Sequence, residues 1–161
     1  MVEEAIMTGD DLMVGPPAPL LPADLAPQIL EGVDVCQRPL RRLYKCLYEN
    51  ADAEPFCQNE ILLSGRCFQK RDEELRSRLL REESKLARTL PGPELERRQG
   101  DLLAAAELLQ RRLILASGID GIEGFRQRWK LNGQLTDVRS RLERLGVSSI
   151  PPPSLEAEAG S

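Results

Sequence analysis

The chain contains no histidine. This removes the commonest general base and the commonest zinc ligand, and with them any Ser/His or Cys/His nucleophile pair. Aromatic residues make up only 4% of the 161 residues, so a large aromatic core is excluded. No window offers the roughly 18 uninterrupted apolar residues of a membrane-crossing helix. Neither lysine nor arginine occurs before Arg38. The opening therefore matches neither the basic start of a secretory signal nor an arginine-bearing mitochondrial presequence. The net charge of −4 gives no general ground for nucleic-acid binding, and none is expected.

What the chain does hold is charge and leucine. Charged residues reach 30%, and the weight of Leu, Arg, Glu and Ala favours helices with solvated faces. Residues 1–33 read as an extended Pro-rich arm. Pro16, Pro17, Pro19, Pro22 and Pro27 remove backbone donors there, while ADLAPQIL can form a short helical turn. Residues 36–48 and about 53–71 read as two short helices. Pro39 sets the start of the first near Cys36; Asp52 can cap the second, with Pro55 in its first turn.

Beyond Cys67 the pattern becomes heptad-like. Leu75, Leu79, Leu86 and Leu90 form one stripe, which PGP at 91–93 ends. Leu95, Leu102, Ala106, Leu109 and Leu113 form a second, up to SGIDGIEG, whose three glycines read as a break. Leu131, Leu135, Val138, Leu142 and Leu145 form a third, out of phase with Ile122, Phe125 and Trp129, and Gly133 marks a candidate kink. Residues 148–161 read as a flexible tail. No such helix can bury its stripe alone, so the stripes pack on one another, on the preceding helices or on a partner. Leu102, Leu109, Leu113, Leu135 and Leu142 are the candidate partner contacts.

All four cysteines fall within residues 36–67, separated by nine, ten and nine residues. Scattered buried thiols would need no such spacing. Structural zinc sites use close cysteine pairs, typically about two to four residues apart, which these are not. Ten helical steps advance about 15 Å and leave the second side chain about 80° short of three turns. Two antiparallel helices carrying the same offset can therefore meet at two rungs, Cys36 with Cys67 and Cys46 with Cys57. Bonding within one helix would have to span that distance, whereas disulfide partners need Cα atoms within roughly 7 Å. A parallel arrangement conflicts with a loop as short as residues 49–53. The expected fold is all-α: a disulfide-stapled antiparallel helical hairpin over 34–72, then amphipathic, coiled-coil-like helices over 73–147. Leu40, Leu43, Leu47, Ile61 and Leu63 are expected to line the hairpin interface.

Cys36-x9-Cys46 followed by Cys57-x9-Cys67 resembles the twin Cys-x9-Cys proteins, the coiled-coil-helix–coiled-coil-helix (CHCH) family. The resemblance covers little beyond the hairpin. It implies synthesis in the cytosol without a cleavable presequence, then oxidation and retention in the mitochondrial intermembrane space. It also accounts for paired cysteines in a chain without a secretory-type start, since cytosolic disulfides are rare. Members are recognised by the import oxidoreductase through an apolar helix face beside a docking cysteine. Leu40 and Leu43 near Cys36, and Leu63 near Cys67, are the candidates.

Relatives that do chemistry need a Cys-Pro-Cys redox pair or an adjacent Cys-Cys copper site, and this chain has neither. With the thiols assigned to structure and no histidine, neither a metal nor another cofactor is expected. Glu73/Glu74 and Glu82/Glu83 read as solvated helix faces. Gly118, Gly121 and Gly124 do not match a phosphate-binding loop. The basic run Arg38, Arg41, Arg42 and Lys45 reads as a solvated face rather than a contact for anionic lipid or an acidic neighbour, since Glu49, Asp52 and Glu54 follow it. The expectation is a non-enzymatic interaction protein, its arm laid across a larger partner. The resemblance points to a structural accessory subunit of a mitochondrial inner-membrane complex, with the respiratory chain first among them. Such a subunit is peripheral to the membrane and faces the intermembrane space. A transient assembly factor, or a mitochondrial ribosome or cristae-organising component, is the alternative.

Overall fold

The computed structural model describes residue 13, residues 15–50 and residues 56–152. These residues form five helices and no strand: α1 Ala26–Leu30, α2 Gln37–Glu49, α3 Gln58–Thr89, α4 Gly92–Ser117 and α5 Gly121–Arg144. The fold is all-α, as expected. None of the helices is long and apolar enough to cross a membrane. Two compact units emerge, Met1–Ser77 and Arg78–Ser161, with the division inside α3. The expected boundary at 72/73 is not a break, because residues 66–90 contain neither glycine nor proline and are rich in strong helix formers. The expected cap at Asp52 and the placement of Pro55 lie outside the described residues.

The first unit is built around α2 and the early turns of α3. Its buried apolar residues include Leu25 and Ile29 from the arm, Leu43 from α2, and Phe68 and Leu75 from α3. The described part of the arm, residue 13 and residues 15–33, does not reach away from the chain. Pro17 and Pro19 are buried. The guanidinium of Arg76 donates to the Pro17 carbonyl, and Gly15 lies against the Gln69 side chain. The anticipated turn in ADLAPQIL forms as α1, opening with Pro27 in its first turn, where the missing donor costs little. Farther along α3, Arg71 lies over the Phe68 ring at 5.0 Å and pairs with the buried Asp72 at 2.8 Å.

In the second unit the apolar stripes of α4 and α5 close on one another. Leu102, Leu142 and Leu145 form a buried cluster, with Ala87, Leu95, Leu103, Val138, Val147 and Ile150 packed around it. Leu135 is buried as well. Three candidate partner contacts, Leu102, Leu135 and Leu142, are thus spent on the chain's own core, while Leu109 and Leu113 are half-buried. Helix α5 ends in a glycine cap. Gly146 takes φ +89°, and the amides of Val147 and Gly146 donate to the carbonyls of Leu142 at 2.9 Å and Glu143 at 3.1 Å. The segment after it is held in part, since Ile150 packs on the cluster; the rest of the expected flexible tail, 153–161, lies outside the described residues.

The PGP break interrupts the helices only at Leu90 and Pro91. At the second break the outcome is different. Gly118 caps α4 and Gly121 opens α5 at φ +75°, but Gly124 lies inside α5. An added Cβ there would meet the Ile119 carbonyl oxygen at 1.8 Å, so the glycine permits a close approach of the turn. Arg128 fastens the same turn by donating to the carbonyls of Ala116 at 3.0 Å and Ile119 at 2.8 Å. Helix α5 runs unbroken through Gly133.

Glu83 departs most from expectation. It is fully buried rather than solvated. Its carboxylate accepts from Arg98 Nε at 2.8 Å and from a terminal nitrogen of the same guanidinium at 2.9 Å. Arg141 donates to it from a third helix, through Nε at 2.8 Å. One acid of α3 thus ties α4 and α5 together. Breaking such a group strands buried charge at a cost of about 3–5 kcal/mol, whereas replacing every member with apolar residues is often neutral.

Two outcomes follow. Glu83→Gln should lower stability by about 3 kcal/mol in urea unfolding, and a Glu83→Met, Arg98→Leu, Arg141→Leu variant should recover most of it. An unchanged midpoint for the single variant would show that the ion group does not hold the unit. Gly124→Ala should also destabilise, by more than the roughly 0.5 kcal/mol of an ordinary surface change, because the Ile119 carbonyl must move.

Candidate functional site

The stapled hairpin is the chain's chemically distinctive site. Cys36 bonds Cys67 with Cα atoms 5.8 Å apart, and Cys46 bonds Cys57 at 6.0 Å. Both nested rungs form as the spacing requires. No cysteine is free.

The rungs are placed differently from a plain helix-to-helix ladder. Cys36 and Cys57 are not inside helices; each immediately precedes one, α2 and α3 respectively. Both have left-handed backbone, φ +63° and φ +55°, and Phe56 before Cys57 shares it. This region is uncommon for residues other than glycine, and each such residue costs on the order of 1–3 kcal/mol unless its surroundings enforce it. Here the bond enforces it at one side. On the other, Asp34 Oδ1 accepts the Cys36 amide at 2.9 Å. Each rung therefore joins the start of one helix to a cysteine ten residues into the other motif, Cys67 or Cys46.

Cys36 and Cys57 are buried, whereas Cys46 and Cys67 are partly exposed. Among the import-recognition candidates, Leu43 is fully buried and Leu40 half-buried. Leu63 is 53% exposed and does not line the interface. Ser64 is buried in its place, because the helical spacing from Cys57 runs through Ile61 and Ser64 to Phe68.

Among the described residues two groups cluster potential ligand atoms: Asp34 with Cys36 and Cys67, and Glu60 with Cys46 and Cys57. In each, both sulfurs belong to one disulfide, and a metal requires thiolate. Each oxidised cluster thus offers one carboxylate.

The remaining candidates concern surfaces. On α2, Arg38, Arg41, Arg42, Tyr44, Lys45 and Tyr48 are all exposed. Around the α4–α5 turn, Ile114, Leu115, Ile119, Ile122 and Phe125 are exposed. Beside them a cleft of about 430 Å³ is lined by Leu115, Ala116, Ile119 and Leu131, with Arg112 and Lys130 among its polar residues. These exposed residues fall outside the regular leucine stripes, at and beside the glycine-rich break, so heptad periodicity does not mark them.

A family profile described as a domain of unknown function (DUF7803) matches residues 1–151. The chain belongs to DUF7803. No curated protein and no solved structure matches it. The DUF7803 match takes in the arm, the stapled hairpin and the second unit up to the start of the tail.

Peptide mapping of unreduced protein should recover Cys36 linked to Cys67 and Cys46 linked to Cys57, and no other pairing. Replacing Cys36 and Cys67 by serine should lower stability by about 3 kcal/mol, read from denaturant midpoints before and after reduction. Equal stability of the oxidised wild type and this variant would show that the outer rung adds nothing.

Proposed function

We propose that this DUF7803 protein is a twin Cys-x9-Cys (CHCH-type) protein of the mitochondrial intermembrane space. In this reading it is a structural accessory subunit on the outer side of an inner-membrane complex, with a respiratory-chain complex as host. The carrying observation is the nested pair of disulfides joining two Cys-x9-Cys motifs. Such bonds need an oxidising compartment. A scaffold role, without catalysis or cofactor, accords with sulfurs engaged in bonds and with a chain lacking histidine.

Import recognition in this proposal precedes folding. Leu43 is buried once the hairpin closes, so an oxidoreductase would read it on the reduced precursor. The partner-facing surface shifts from the stripes to the α4–α5 turn. Leu115 is 75% exposed and Ile122 72% exposed, and apolar groups gathered in one region mark interaction sites. A transient assembly factor is the second reading. The observation favouring it is that the second unit buries its own leucine stripes, and so does not depend on a host to cover them.

Protease added to mitochondria after rupture of the outer membrane should digest the protein. Protection until the inner membrane dissolves would place it in the matrix and end this reading. In mild detergent the wild type should comigrate with a large complex, while Leu115→Glu with Ile122→Glu should release it. Both positions are exposed, so the variant should unfold within about 0.5 kcal/mol of wild type. Migration of the wild type only as a small free protein would instead support the assembly factor.

A further inference from the structure

Helix α2 holds four cations, Arg38, Arg41, Arg42 and Lys45, against one acid, Glu49. Lys45 and Glu49 approach at 3.9 Å, but Arg38, Arg41 and Arg42 make no ion pair among the described residues. At 100° per residue the three guanidiniums and Lys45 fall on one arc. Tyr44 and Tyr48 lie along its edge, and Tyr48 is 91% exposed. Leu43 on the opposite side is fully buried. The face is therefore basic at its centre and aromatic at its margin, in a chain whose net charge is −4.

We propose that this face of α2 docks on an anionic lipid surface. Clusters of Lys and Arg on an amphipathic helix are attracted to anionic headgroups, and tyrosine rings suit the headgroup level, with an apolar body and a polar tip. A lipid surface presents negative charge at every register, so it can engage three arginines along a helix with no acid interspersed among them. Because the apolar side of α2 is consumed inside the first unit, the helix does not bury itself in the acyl region. Binding is shallow and electrostatic, and salt screens it. The disulfides fix the helix at both ends, Cys36 just before its start and Cys46 in its last turn, so the face is presented without further ordering. Glu49 falls on the same arc and works against the attraction.

The inference deepens the membrane-peripheral setting proposed above, yet it can fail separately: comigration tests the host complex, and vesicles test the lipid. Purified oxidised full-length protein is mixed with vesicles of phosphatidylcholine alone, or of phosphatidylcholine and phosphatidylglycerol in equal parts, and sedimented. Binding is expected only to the anionic vesicles, falling as salt is raised. Arg38→Gln, Arg41→Gln, Arg42→Gln should weaken it on the order of a hundredfold, from about fivefold per cation. A control carrying Arg88→Gln, Arg97→Gln, Arg139→Gln loses the same charge from exposed positions on α3, α4 and α5 and should bind as wild type. Circular dichroism and disulfide mapping check that both variants fold. No binding to anionic vesicles, or equal loss in both variants, overturns the proposal. Loss of comigration with the large complex in the α2 variant, with vesicle binding intact, also overturns it and assigns the face to an acidic protein.

Discussion

The Cys36–Cys67 bond closes a stretch of 31 residues, and the first unit depends on it. Chain-entropy arguments assign roughly 3–4 kcal/mol to a loop of that length and about 3 kcal/mol to the inner one of 11. The two are not independent. Once Cys46 and Cys57 are joined, the outer bond closes a shorter effective loop and contributes somewhat less. Against this gain stands the left-handed backbone at Cys36, Phe56 and Cys57. A hairpin with so few buried side chains has little area to offset that strain, so the bonds both create the geometry and hold it. The same fastening fixes Asp34 beside the outer rung, and with it the end of the arm.

The second unit meets the same shortage of apolar material with different chemistry. It contains no cysteine, and its three helices converge on one buried carboxylate. A fork-shaped guanidinium suits this better than an ammonium would, since Arg98 reaches both oxygens of Glu83 while Arg141 takes a second approach. Leucines alone would let adjacent helices slide by a turn at modest cost. A single acid that needs both arginines penalises every such slip, because each alternative register leaves a buried charge unpaired. The leucine cluster supplies burial, and the ion group supplies register.

Much of the fold was legible in the sequence, and the failures share a cause. Cysteine spacing specified both rungs, because a disulfide has a short fixed reach and few arrangements pair all four cysteines within it. Periodicity specified the stripes at 75–90, 95–113 and 131–145, because apolar burial repeats with the helix. What periodicity cannot assign is a polar residue that sits on the stripe. Glu83 falls four residues after Leu79 and three before Leu86, inside the apolar arc, and composition alone reads it as solvated. Its position was the available signal. By sequence Gly124 reads as part of a break because glycine punctuates helices so often, whereas in the fold the missing Cβ serves a close backbone approach. The burial of two arm prolines is not legible for a third reason. Proline removes donors but says nothing of whether the ring is covered, and Pro17 and Pro19 are.

These two ways of holding helices differ in what they demand from their surroundings. Closing the first unit requires an oxidant, and in the reduced chain neither the left-handed cysteines nor the apposition of α2 with α3 is enforced. Nothing in the packing of the second unit waits on that event. Two disulfides hold the hairpin, whereas the leucine cluster of the second unit closes without any cysteine. The exposed apolar residues at the α4–α5 turn do not depend on the rungs either, since Arg128 and Gly124 fix that turn from within the second unit. The basic face of α2 is the reverse case. It lies on a helix that both rungs hold, with Cys36 just before its start and Cys46 in its last turn.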